Sequence, residues 1–333
     1  MTHPNPDQLA GGLEDALTAQ PGETLESREA KRLLSALLMP LSHLFAGEVT
    51  EVMINRHDDI WVEDRAGMRR VDCTLPKDAV ETAIVALGRL AGIDAGDQCP
   101  IVDARVGRHL RVGAVLEPAA VEGPTLCIRR HVPMQASLAM YGEIVRQETL
   151  RLLEESRNVL VAGATGSGKT TFINALLAEL APTDRLIVIE DTPELTVPNP
   201  NRVRFESRGG ADMSALLREA LRQRPDRIVL GEIRGREAYD LLQAFNTGHG
   251  GSFSTIHAGS PAGALLRLAS LVGQAEEARS WPQSAIRSAI AASVGGVVCL
   301  RKKQVVAVAA VEGLDDTGFV LENRFEAGIA KAN

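Results

Sequence analysis

Cysteine is scarce and scattered along this chain. Cys73, Cys99, Cys127 and Cys299 form no C-x-x-C pair, which argues against a zinc site or a disulfide framework and leaves reduced thiols as the expected state. Aromatic residues make up only 3% of the sequence, and the net charge is −7. Few rings are left to stack on the bases of a single strand and no broadly basic surface is left to neutralise phosphates, so direct nucleic-acid binding is not expected. No apolar run approaches the roughly 18 residues of a membrane span. The opening stretch MTHPNPDQLAGG has neither the basic start nor the apolar centre of a secretory signal, and a cytoplasmic protein is expected.

What is present is the composition of a globular protein, 45% hydrophobic and 24% charged over 333 residues, enough for two domains with separate cores. Residues 1–24 are polar and punctuated by Pro4, Pro6, Gly11, Gly12, Pro21 and Gly22, which predicts a loosely ordered tail. The spacing of Leu25, Leu33, Leu34, Leu37 and Leu38 predicts a helix over 23–39, stopped by Pro40. Strand patterns follow at 49–55, 59–63 and 68–73, a helix at 77–90, and strands at 101–106, 110–116 and 125–130. That order predicts a smaller α+β domain over 25–131. Pro133, Ser137 and Gly142 interrupt the pattern and place a linker at 132–142. From 143 to 333, helices alternate with short, wholly apolar runs such as RLIVI (185–189) and IVL (228–230). Such runs mark buried parallel strands, so this part is expected to be a doubly wound α/β sheet. A helical stretch at 261–292 and strands near 296–300, 304–311 and 319–323 are expected to complete it.

The most informative stretch lies at 158–180. Gly163, Ala164, Thr165, Gly166, Ser167, Gly168, Lys169 and Thr170 satisfy G-x-x-x-x-G-K-[ST] in full, between an apolar strand and a helix with Ile173, Leu176, Leu177 and Leu180 at helical spacing. Glycines let backbone N–H groups close around phosphate oxygens, and the helix N-terminus adds partial positive charge. Lys169 is expected to stand exposed in the loop and reach the β- and γ-phosphates. Thr170 offers a hydroxyl to Mg²⁺, and Thr171 extends the nucleotide-binding set. ATP and Mg²⁺ are the cofactors this pattern predicts.

Glu190 and Glu232 end the next two apolar strands, and in such a sheet the C-terminal strand ends line the ligand crevice. One carboxylate can order the water shell of the metal, with Glu232 a candidate for doing so through water. The other can orient the attacking water. Gly231 occupies the place of an expected Asp, so the division of labour between the two stays open. The run FSTI (253–256) delivers His257 to the same edge, while His249, in the glycine-rich stretch before it, stays open between a functional and a structural role.

In chain order, GATGSGKTT, IEDTPEL, LRQRPDRIVLGEIRG and FNTGHGGSFSTIHA resemble the Walker A, Asp box, Walker B and His box of the secretion ATPase superfamily. Phe245 at a tryptophan-like position and the continuation HAGSPAGALLRL make the conjugal-transfer ATPases of the TrbB type, from type IV secretion systems, the nearest resemblance. It covers residues 143–300 and reaches the N-terminal domain through RVGAVLEPAAVEGPTLCIRR. Ser252 to Ser254 and a Glu-Pro pair depart from the usual form without removing a charged group. The resemblance implies a RecA-like P-loop sheet in a hexameric ring ATPase, peripherally placed at the inner membrane and working with envelope components of a transfer apparatus. It implies nucleotide contacts from Arg111 and from Arg129 or Arg130, and a catalytic Arg224. Pilus extension and retraction ATPases share the four motifs, but the extension type usually carries a four-cysteine zinc module that is missing here. A nucleic-acid translocase fits the composition least.

Overall fold

The computed structural model describes residues 25–41, 49–64, 66–106, 110–130, 136–207 and 210–327. The chain divides into two compact units, Met1–Pro133 and Met134–Asn333. The expected tail at 1–24 lies outside the described residues.

In the first unit, helix α1 (Leu25–Leu38) precedes a hairpin of β1 (Glu51–Arg56) and β2 (Asp59–Asp64), then β3 (Gly67–Val71), α2 (Lys77–Ala91), β4 (Ile101–Val106), β5 (Leu110–Val115) and β6 (Thr125–Arg130). The strands form one antiparallel sheet in the order β3-β2-β1-β6-β5-β4. Period-2 alternation decides its faces. Val52, Ile54, Val62, Val112 and Ile128 turn towards α1 and α2, where Leu34, Leu38, Val80, Ile84 and Leu87 complete the core. The intervening residues, among them Glu51, Met53, Trp61, Arg111, Cys127 and Arg129, lie on the other face and are less buried.

The second unit begins with a short 3-10 turn (Leu138–Tyr141) and α3 (Glu143–Glu154). Although proline, serine and glycine read as a linker here, Leu138 is fully buried in this unit's core, with Tyr141 edge-on to Phe172 at 5.0 Å between ring centroids. Then come β7 (Asn158–Gly163), α4 (Lys169–Leu177), β8 (Leu186–Glu190), β9 (Arg202–Glu206), α5 (Met213–Arg222), β10 (Arg227–Ile233), α6 (Glu237–Asn246) and β11 (Phe253–Ile256). The chain ends in α7 (Pro261–Val272), α8 (Gln283–Ser293), β12 (Val294–Arg301), β13 (Gln304–Asp315) and β14 (Gly318–Glu326).

The sheet order is β14-β13-β12-β7-β11-β10-β8-β9, parallel from β12 to β9 and antiparallel at β13 and β14. Each central strand feeds two cores. Leu160, Ile187, Ile228 and Val297 face α5 to α8, whereas Val159, Val188, Val229 and Val298 face α3 and α4. Burial on both faces is why these strands read as unbroken apolar runs. The crossover after β7 skips two positions, so β11 and β10 separate β7 from β8 and the C-terminal ends of these four strands lie side by side.

Candidate functional site

The phosphate loop folds as its glycines dictate. A Cβ on Gly163 would sit 2.3 Å from Ser167 Oγ and 2.8 Å from the Leu300 carbonyl oxygen, so only glycine lets β7 end against β12. Gly166 and Gly168 hold φ at +70° and +95°, a region costly for residues with a Cβ. The Ser167 N–H closes the turn on the Ala164 carbonyl at 3.2 Å, and α4 opens at Lys169. This is a glycine-rich loop opening a helix N-terminus, whose backbone N–H groups and partial positive charge suit a phosphate chain. Lys169 is 9% exposed, not free in solvent as expected from the sequence. Its Nζ donates to the carbonyls of Gly163 and Ala164 at 3.0 and 3.1 Å. Burial lowers its pKa, the negative charge of Glu232 counters that shift, and Arg234 reinforces it.

The two glutamates differ sharply in surroundings. Glu190 is 2% exposed. Its Oε1 accepts the N–H groups of Glu194 and Leu195, both at 2.8 Å, and its Oε2 accepts from Arg204 at 2.9 Å. Both oxygens are therefore committed to fixing the loop after β8 and the edge strand β9. Gly231 has a local reason too: a Cβ there would lie 3.3 Å from Glu190 Cγ. Glu232, on the neighbouring strand, is held instead by the side chains of Arg234 and His257. Its Oε2 accepts from Arg234 Nε and a terminal nitrogen at 2.9 and 2.5 Å, and its Oε1 meets Nε2 of His257. Arg234 also donates to Asp191 at 2.7 Å. Lys169, Glu232 and His257 thus gather at one edge of the sheet, with Arg234 and Asp191, which the sequence reading passed over. The position of Arg234 two residues after Glu232, just past the end of β10, was the available signal.

Arg224 and His249 lie elsewhere. Both precede their strands, β10 and β11, and so stand at the N-terminal edge, with the His249 Nδ1 3.0 Å from the Pro225 carbonyl. Arg224 is exposed at φ +53°. Among the described residues its side chain has no hydrogen bond or ion pair. The seven residues of β10 alone put about 20 Å between the two edges. His249 acts with Ser252, whose Oγ donates to the His249 carbonyl and accepts the Ile228 N–H, to pin the loop to β10.

In the first unit, Arg111 and Arg129 face each other across β5 and β6, and Arg105 faces Arg111 across β4. Arg111 donates to Asp103 at 2.9 Å and Arg129 to Glu51 at 3.3 Å. All stand on the face away from the helices. Arg130 occupies the core-facing row opposite Leu110, is 6% exposed, and has its pKa lowered by burial. Register therefore separates Arg129, which shares the face of Arg111, from Arg130, which does not.

Fold and site together define a P-loop nucleoside triphosphatase: a doubly wound parallel sheet with a phosphate cradle after β7 and a carboxylate with its histidine on the next strands. The model of the family described as type II/IV secretion system protein matches residues 36–314. The chain belongs to that family and is an ATP hydrolase of it. It is 35% identical over 241 residues to the conjugal transfer protein TrbB of Rhizobium radiobacter, covering 69% of this chain and 74% of that one. It is 32% identical over 294 residues to the type IV secretion system protein PtlH of Bordetella pertussis, covering 77% and 86%. Among solved structures, the Yersinia pseudotuberculosis ATPase DotB shares the fold with a TM-score of 0.59 at 18% identity, over 89% of this chain and 78% of that one. Among the described residues no helix is long and apolar enough to cross a membrane.

Proposed function

We propose that the protein is a ring-forming ATPase that turns hydrolysis into domain displacement for a type IV secretion or conjugal-transfer apparatus, working from the cytoplasmic face of the inner membrane. Relatives bearing conjugal-transfer and type IV secretion names, covering two thirds or more of the chain, support the setting. The observation that carries the ring is Arg224, an exposed cation with no acidic partner among the described residues, at the sheet edge opposite its own phosphate loop. Such a residue cannot serve its own site, but a head-to-tail ring would bring it to a neighbour's nucleotide, where a guanidinium stabilises charge on the transferring phosphoryl group.

Within each site Lys169 binds the phosphates, Glu232 orients the attacking water, and His257 and Arg234 set the position of the Glu232 carboxylate. Glu190 positions the loop that follows β8. Thr170, with Glu232 through water, would hold Mg²⁺, which when bound neutralises phosphate charge. In the assembled ring Arg111 and Arg129 add guanidinium donors to the bound nucleotide. A hexamer is the assembly expected.

Subunit mixing tests this reading. Glu232→Gln and Arg224→Ala proteins should each be inactive alone, because each lacks one half of every site. Mixed in equal amounts they should regain a substantial fraction of wild-type turnover, since some interfaces then combine an intact Glu232 with an intact Arg224. Two inactive proteins that stay inactive after mixing, despite forming mixed rings, would refute the trans role.

A further inference from the structure

The hairpin that joins β12 to β13 carries three consecutive cations, Arg301, Lys302 and Lys303, all exposed. Among the described residues none of the three has a side-chain ion pair or hydrogen bond. The turn itself is unusual. Arg301 pairs with Gln304, so Lys302 and Lys303 are its two central residues, at φ +49° and +64°. This is the type I′ geometry that Asn-Gly adopts without strain and that a lysine enters at a cost. Strain of this kind persists where the position has a task.

The position is specific. β12 pairs in parallel with β7, with Leu300 opposite Gly163, so the turn emerges beside the phosphate loop. The Lys303 N–H donates to the Ser167 carbonyl at 3.0 Å. A Cβ on Gly168 would lie 3.4 Å from Lys303 Cα, so the two backbones touch. A lysine stem of single bonds of about 1.5 Å reaches about 6 Å from its Cα, far enough for Lys303 to span the flank of Gly168.

We propose that the Lys302–Lys303 turn is a second phosphate-binding element of the nucleotide site, closing on the diphosphate portion of the bound nucleotide from the β12 side. The proposal rests on the nucleotide reading of the phosphate loop and adds binding residues to it. Like-charged side chains crowd this turn with no acid pairing with them among the described residues, and a polyanion at the adjacent phosphate loop supplies the missing charge. Because the diphosphate is common to ADP and ATP, the turn should tighten both.

The test replaces the turn with its unstrained equivalent, Lys302→Asn with Lys303→Gly, in the full chain. Removing strain and charge together should raise the unfolding midpoint without nucleotide by about 4 °C. At low salt it should weaken ADP and ATP binding about tenfold, the gap shrinking as salt screens the contact. Titration calorimetry with MgADP and with a non-hydrolysable ATP analogue reads the affinities. Lys302→Gln with Lys303→Gln, which keeps the backbone strain and loses only charge, should weaken binding equally, and Lys302→Arg with Lys303→Arg should restore it. Affinities within twofold of wild type in both neutral variants would overturn the proposal while leaving the nucleotide site standing. If wild type itself bound neither nucleotide, the reading of the phosphate loop would fall and this proposal with it.

Discussion

Glu190→Gln separates two roles that a glutamate at a strand end can have. If the carboxylate orients water, the amide should abolish turnover and leave the fold untouched. The hydrogen bonds argue for the other role. Glu190 is 2% exposed and accepts three donors: the N–H groups of Glu194 and Leu195 and the guanidinium of Arg204. The glutamine oxygen can keep the two N–H groups, as a weaker neutral acceptor, but its amide nitrogen then faces the guanidinium, donor against donor. A charge-assisted hydrogen bond contributes about 1.5–3 kcal/mol. The Arg204 side chain is 38% exposed, so solvent recovers part of that loss, and the net cost is about 2 kcal/mol. In a unit of this size each kcal/mol shifts the midpoint by about 2–4 °C, which predicts a fall of about 4–8 °C. Calorimetric unfolding of the nucleotide-free protein measures it, alongside nucleotide affinity, which should change only a few-fold. A midpoint within about 1 °C of wild type, with hydrolysis abolished, would refute the reasoning and return Glu190 to the chemistry.

Gly231→Asp inserts the carboxylate that a strand-end acidic pair would have used, but its Cβ meets Glu190 Cγ at 3.3 Å and brings two carboxylates together. It should lower the unfolding midpoint by about 5 °C without raising turnover, and an unchanged midpoint would show that the pocket yields easily. Thiol reactivity gives an independent check on the first unit. Burial and the Glu51 carboxylate beside it push the Cys127 thiol up to about 12, leaving little thiolate at pH 8, whereas Cys99 is exposed. Maleimide labelling followed by peptide mass spectrometry should find Cys99 modified at least about 100-fold faster than Cys127; equal rates would contradict the shielding of Cys127 beside Glu51.

The sequence was legible where one physical pattern dominates. Alternation placed β4 and β6 to the residue, because each has one covered and one open face. The phosphate loop was legible because only glycine fits its φ values and close approaches. The edge strand β9, RVRFE, was missed although its charges alternate, since an edge strand with charged residues on both sides of each apolar one resembles a solvated loop. Its Arg204 is what satisfies Glu190, so missing the strand also obscured the difference between the two glutamates. The expectation that Lys169 is exposed failed for a related reason: loop carbonyls, which carry no sequence signal, hold the ammonium group in. The placement of Arg224 depends on strand direction and order, which local pattern does not encode.

Steady-state ATP hydrolysis by the purified full chain, wild type beside Lys169→Ala, tests the central claim most directly. The wild type should hydrolyse ATP in a Mg²⁺-dependent manner. The variant should unfold within a few degrees of wild type and lose turnover by a factor of about 100 or more. A folded variant that hydrolyses ATP at the wild-type rate would contradict the assignment of the site.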